Sequence, residues 1–136
     1  MSDYGTIYVS SAANSTIGTP DTFQKMSGTT TAGTVNNMSQ KDNAELRYDG
    51  VVTKDFLCSM SVRLTSAAEG EPRIGIGKNG SVVAASEISF GAEGYGVASV
   101  DWIISLATSD YLSIMVTSDS GEELSTSDGI LTAVAL

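Results

Sequence analysis

Apolar and polar positions alternate with a period of two through most of this chain, and turn residues break the alternation roughly every ten residues. The clearest run is Asp55 to Thr65. Phe56, Cys58, Met60, Val62 and Leu64 fall on one face, and Leu57, Ser59, Ser61, Arg63 and Thr65 on the other. This is the pattern of an antiparallel strand with one face in a core. Val97 to Ala107 repeats it, with Ala98, Val100, Trp102, Ile104 and Leu106 in phase, and Tyr111 to Thr117 turns Leu112, Ile114 and Val116 inward. Shorter strands are predicted at Thr6 to Ser10, Thr22 to Met26 and Ala44 to Tyr48. Residues 27–42 read as loop, and 118–128 as an acidic polar loop. Gly129 to Leu136 is apolar in both phases, which predicts a strand covered on both sides, by its own domain or by a neighbouring subunit. No helix is predicted. About eight to ten short strands with this spacing predict an all-β antiparallel sandwich, a jelly roll, as a single domain over residues 1–136.

The stretch Gly75-Ile76-Gly77-Lys78-Asn79-Gly80-Ser81 invites a second reading, as a phosphate-binding loop. That motif needs a first glycine where Pro72 stands, a Ser or Thr where Asn79 stands, and a helix after it. Instead, β-branched Val82 and Val83 follow. Asn79-Gly80 between alternating runs is a hairpin signal, because both central residues of a type I′ turn take φ > 0. Arg73 to Lys78 and Ser81 to Phe90 are the predicted arms, with Gly75 and Gly77 opposite Ile74 and Ile76, where a neighbouring backbone comes close.

Composition narrows the chemistry. The 136 residues carry a formal net charge of −9, with no basic patch, which argues against nucleic-acid binding. There is no histidine, so Ser-His-Asp triads, Cys-His pairs and histidine metal sites are excluded. Cys58 is the one cysteine and lies on the apolar face of its strand, as a core hydrophobe rather than a nucleophile. The acidic run Asp119 to Glu123 lacks calcium-loop spacing. Glu87, Glu93 and Asp101 are scattered carboxylates whose pairing for glycoside hydrolysis only the fold decides. No enzyme activity and no cofactor are expected. The N-terminus has neither a basic nor an apolar signal region, and no run is long enough to cross a bilayer. A soluble protein made in the cytoplasm is expected, without membrane insertion.

The succession of Phe56 to Val62, the Lys78-Asn79-Gly80 hairpin, and the strand that turns through Thr108-Ser109-Asp110 into Tyr111-Leu112-Ser113-Ile114 resembles the jelly roll of tumour necrosis factor and complement C1q heads, over residues 43–136. It is most similar to small stand-alone versions encoded by tailed phages, cyanophages among them. The chain departs from the animal members in having no disulfide pair and no aromatic-rich last strand. The resemblance implies a homotrimer acting as a capsid decoration (cement) protein on the outer surface of the virion head, bound to the major capsid protein. The alternative it implies is a fibre or receptor-binding head that recognises a host glycan or protein. The absence of a stalk or heptad shaft favours decoration. For the trimer contact the candidates are Tyr111 and Met115, out of phase with Leu112 and Ile114, and Leu131, Ala133 and Leu136 of the last strand. For the capsid contact they are Tyr4, Ile7, Tyr8 and Val9, in a polar segment over residues 2–18 that forms either an added arm or the first strand of its own domain.

Overall fold

Strand β7 (Lys54–Leu64) organises the molecule, and its sequence shows why. Its in-phase residues Phe56, Cys58, Met60, Val62 and Leu64 are all buried, and both of its backbone edges are paired. On one edge it pairs antiparallel with β11 (Gly96–Leu106), Trp102 opposite Cys58. On the other it pairs with β14 (Thr126–Ala135), Ala133 opposite Cys58. The computed structural model describes residues 2–65, 68–91 and 94–136. The remaining strands are β1 (Tyr4–Ala12), β2 (Ser15–Thr16), β3 (Gln24–Lys25), β4 (Gly28–Asn36), β5 (Met38–Asp42), β6 (Glu45–Tyr48), β8 (Arg73–Lys78), β9 (Ser81–Val82), β10 (Ile88–Ser89), β12 (Tyr111–Thr117) and β13 (Glu123–Leu124).

One sheet runs β11-β7-β14-β1-β4, the other β10-β8-β12-β6-β5, with β3 and β9 added to the second. All ladders are antiparallel. The inner faces meet in one core that includes Ile7, Leu46, Tyr48, Phe56, Met60, Ile74, Ile76, Leu112, Ile114 and Leu131. Tyr48 and Phe56 pack edge to face, with ring centroids 5.0 Å apart. This is the predicted antiparallel jelly roll. Among the described residues the only helical turn is a 3-10 turn at Ala84–Ser86.

Several expectations change. Residues 27–42 are not loop but β4 and β5. Strand β4, GTTTAGTVN, is a sheet edge exposed along most of its length, so it carries no alternation to read. Of the two readings of the 2–18 segment, the first strand of its own domain is the one observed: it carries β1, laid between β14 and β4, and then β2, paired with β13. The arm after Asn79-Gly80 is not one strand: β9, the 3-10 turn and β10 share it. Trp102 keeps its inward phase but is 43% exposed. It lies on the edge strand β11, opposite which the second sheet supplies only the 3-10 turn and the two-residue β10.

Candidate functional site

The register of the five-stranded sheet fixes which side chains share its outer face. At one end Ile103, Leu57, Val134 and Tyr4 stand side by side across β11, β7, β14 and β1. The next row is polar: Asp101, Ser59, Thr132 and Thr6, with the hydroxyls of Thr132 and Thr6 hydrogen-bonded at 3.1 Å. Ser99, Ser61, Ile130 and Tyr8 follow, the two serines bonded at 2.6 Å. Val97, Arg63 and Asp128 close the face. Leu57, Ile130, Val134 and Tyr8 are exposed, and Ile103 is 56% exposed. A one-sided antiparallel sheet normally turns polar side chains to water, so this face is an unpartnered apolar surface with polar rows between. Where β1 and β14 part beyond Tyr8 and Ile130, a shallow groove of about 320 Å³ opens between Tyr8, Arg63, Val97 and Asp128.

At the Leu57 end of the sandwich the two turn motifs lock together. Asn79 and Gly80 have φ of 52° and 89°, the type I′ pattern. The Asn79 amide donates to Asp110 Oδ1 at 3.0 Å, and its carbonyl accepts from the Tyr111 N–H at 3.0 Å. Asp110 also accepts from the Ala107 N–H at 2.9 Å. The Asn79 amide bond, opposed by burial and helped by the Ala107 N–H and Lys78, holds the Asp110 carboxyl below the usual range. Beside them, buried Asp3 accepts from Lys54 Nζ at 2.8 Å, Asn37 Nδ2 at 2.8 Å and Tyr48 Oη at 3.0 Å. The Lys54 and Asn37 bonds, against burial, hold its carboxyl down at about 2.

The opposite end is acidic. Glu122 accepts from the Ser118 and Ser120 hydroxyls at 2.6 and 3.0 Å and from the Glu69 and Gly70 N–H groups at 2.7 and 2.8 Å. Burial raises its pKa, but these donors outweigh that and leave it lowered. The carboxylate is a clip between two loops. Among the described residues no group of three or more His, Cys, Asp or Glu is arranged to hold a metal ion.

The predicted site residues are not brought together. Leu131 and Ala133 are buried in the core, whereas Ile130, Thr132 and Val134 of the same strand lie on the outer face of the sheet. Tyr111 and Met115 lie on the outer side of the other sheet. Met115 is buried there, beside Lys25 of the paired strand β3 and against Gly77, and Tyr111 carries Lys41 at 4.5 Å over its ring. Leu136 is exposed at the end of β14. Of the capsid candidates, Ile7 is in the core and Val9 half-buried against it, whereas Tyr4 and Tyr8 lie on the outer face described above. The alternation of β1 decides this split. Leu57, Ile103, Ile130 and Val134, the apolar residues exposed on this face, were not among the predicted site residues. Their signal was present: each is an apolar residue out of phase in its strand.

The scattered carboxylates form no pair. Glu87 is bound to Arg73 at 3.1 Å on the second sheet, Asp101 projects from the first, and Glu93 lies outside the described residues. Cys58 is buried in the core, and desolvation pushes its thiol up to about 12. Among the described residues no helix is long and apolar enough to cross a membrane.

No protein-family profile matches the chain, and no curated protein matches it in sequence. Solved structures do. The PRD1 vertex protein P5 is similar with a TM-score of 0.67 and 13% identity, over 98% of this chain and 96% of that one. Murine APRIL at pH 8.0 is similar with a TM-score of 0.65 and 8% identity, over 98% and 99%. The globular domain of the zebrafish complement 1qA protein is similar with a TM-score of 0.59 and 12% identity, over 100% and 97%. At such identities the likeness is one of fold. With the antiparallel sandwich described above, it establishes that the chain has the jelly roll of the tumour necrosis factor and C1q type.

Proposed function

We propose that the protein is a non-enzymatic structural component of a phage virion: a homotrimeric decoration protein that binds the outside of the head and stabilises capsomer contacts. The observation that carries the assembly is the outer face of the five-stranded sheet. A protomer that kept Ile103, Leu57 and Val134 in water would leave a continuous apolar row unburied. Covering that row with a second copy removes it from water, and the flanking Ser and Thr rows supply hydrogen bonds at its rim. The residues for this contact are Leu57, Ile103, Ile130, Val134, Tyr4 and Tyr8, in place of Leu131, Ala133 and Met115. The virion assignment draws on the resemblance in sequence and on the similarity to a vertex protein.

Light scattering on the purified protein tests the assembly. A trimer at micromolar concentration is expected, and Leu57→Asp/Ile103→Asp is expected to be a folded monomer. A wild-type monomer ends the reading. Addition of the protein to heads that lack it tests the location, with head stability to heat or osmotic shock as readout. Protein that binds host cells and not heads is a receptor-binding head instead.

A further inference from the structure

The loop between β6 and β7 exposes Val51 by 89% and Val52 by 59%. Among the described residues nothing covers them, yet the loop backbone is held by hydrogen bonds. Thr108 Oγ1 donates to the Gly50 carbonyl at 2.6 Å. Tyr48 Oη lies 2.7 Å from the Val52 carbonyl and 3.0 Å from Asp3 Oδ2, and its single proton is shared between these two acceptors. The Asp49 N–H donates to Asn37 O at 2.8 Å. A Cβ on Gly50 would run into the Tyr48 ring, so the chain is seated directly on that aromatic. Two adjacent β-branched apolar side chains are thus presented on a fixed mount, which lowers the ordering cost of binding.

Charge is distributed unevenly between the two ends. Around the loop every cation has a partner: Arg47 with Asp49 at 2.8 Å, Lys54 with Asp3 at 2.8 Å, and Lys78 with Asp110 at 3.8 Å. Asp55, next on β7, makes no ion pair among the described residues. The opposite end gathers Glu69, Glu71, Asp119, Glu122 and Glu123, with no Lys or Arg in residues 68–71 or 118–125. Docking by the acidic end would need a strongly basic receiver, whereas the near-neutral end asks chiefly for apolar surface.

We propose that the Val51-Val52 tip is the end of the protein that seats on the particle, and that it enters an apolar socket with a cationic rim, facing Asp55, on the protein shell. This rests on the virion reading above. In a trimer the three copies of the tip lie on the same side, so shallow contacts combine by avidity. A lipid receiver fits less well. The segment Asp49 to Thr53 has no aromatic or basic residue to sit among headgroups, and the adjoining Lys54 is tied to Asp3.

The test compares binding of wild-type protein, Val51→Asp/Val52→Asp and Glu69→Lys/Glu71→Lys to heads that lack the protein, by co-sedimentation. Far-UV circular dichroism and light scattering confirm fold and assembly, and Val51→Thr/Val52→Thr serves if the Asp pair disturbs either. The tip variants are expected to bind at least about tenfold more weakly, and Glu69→Lys/Glu71→Lys as wild type. Equal binding by the tip variants overturns the inference while leaving the virion reading in place. So does tip-dependent binding of the wild type to phosphatidylcholine or phosphatidylglycerol vesicles. Wild-type protein that does not bind heads at all fails the virion reading, and the tip assignment with it.

Discussion

Asp3 shows how much a single residue ties together. It sits in the first described residues, is buried, and joins the chain start to Asn37, Tyr48 and Lys54. Its folded pKa of about 2 lies below the ordinary 3.8, so the ionised form favours the folded state. That contribution is present above pH 3.8 and is lost as pH falls from there towards 2. Thermal melts of wild type and Asp3→Asn should therefore differ most near neutrality and converge as pH falls through about 2. A constant gap across that range would show that the carboxylate charge is not the cause. Gly77 is constrained by volume instead. A Cβ there would collide with Ser113 Oγ and Met115 Sδ, and the Ser113 hydroxyl is buried with no hydrogen-bond partner. Gly77→Ala should cost about 1–3 kcal/mol. Ser113→Ala should be neutral or stabilising, because it removes an unsatisfied buried polar atom, and should recover part of that loss in the double variant. Denaturant melts of all three read the coupling.

Elements differ in how far their own residues explain them. Strand β7 is specified by alternation alone, and Phe56→Ala should cost about 3–5 kcal/mol by opening a cavity beside Tyr48. A loss below about 1 kcal/mol in urea denaturation would mean that the site collapses or that the residue is not in the core. The Asn79-Gly80 hairpin is specified locally too, but its second duty is not local: the Asn79 side chain fastens the turn before β12. Asn79→Gly keeps the positive φ and deletes those two bonds, so a loss of about 1–2 kcal/mol is expected. Strand β4 is the converse case. Its Thr-, Gly- and Ala-rich sequence has no buried face to impose a period, and it is a strand because the edge of β1 offers it backbone partners.

At the scale of the whole molecule the sandwich has one apolar outer sheet face, one near-neutral end with an apolar tip and one acidic end. In the proposed function, assembly and attachment fall on different surfaces. The Leu57/Ile103 variant should lose the trimer, and with it the avidity of attachment, whereas the Val51/Val52 variant should lose attachment while remaining a trimer. Light scattering beside head binding separates them; loss of both by the tip variant would place the tip in the subunit contact.

The sandwich and most of its core were legible in sequence. Alternation over Phe56 to Leu64 and over Leu112 to Val116 is a local consequence of the strand's two-residue period, and so is the Asn79-Gly80 turn. Which out-of-phase residues share a surface was not legible, because that depends on register between distant strands. Leu57 meets Ile103 only through the β7–β11 ladder and Val134 only through the β7–β14 ladder. The last strand's double apolarity predicted cover on both sides, but which phase enters the core, Leu131 and Ala133 rather than Ile130 and Val134, was set by the pairing of β14 with β1 and β7. Trp102 is half open for a similar reason. Its own strand turns it inward, but the cover it meets belongs to β10 and the turn before it, segments whose shortness no local pattern records.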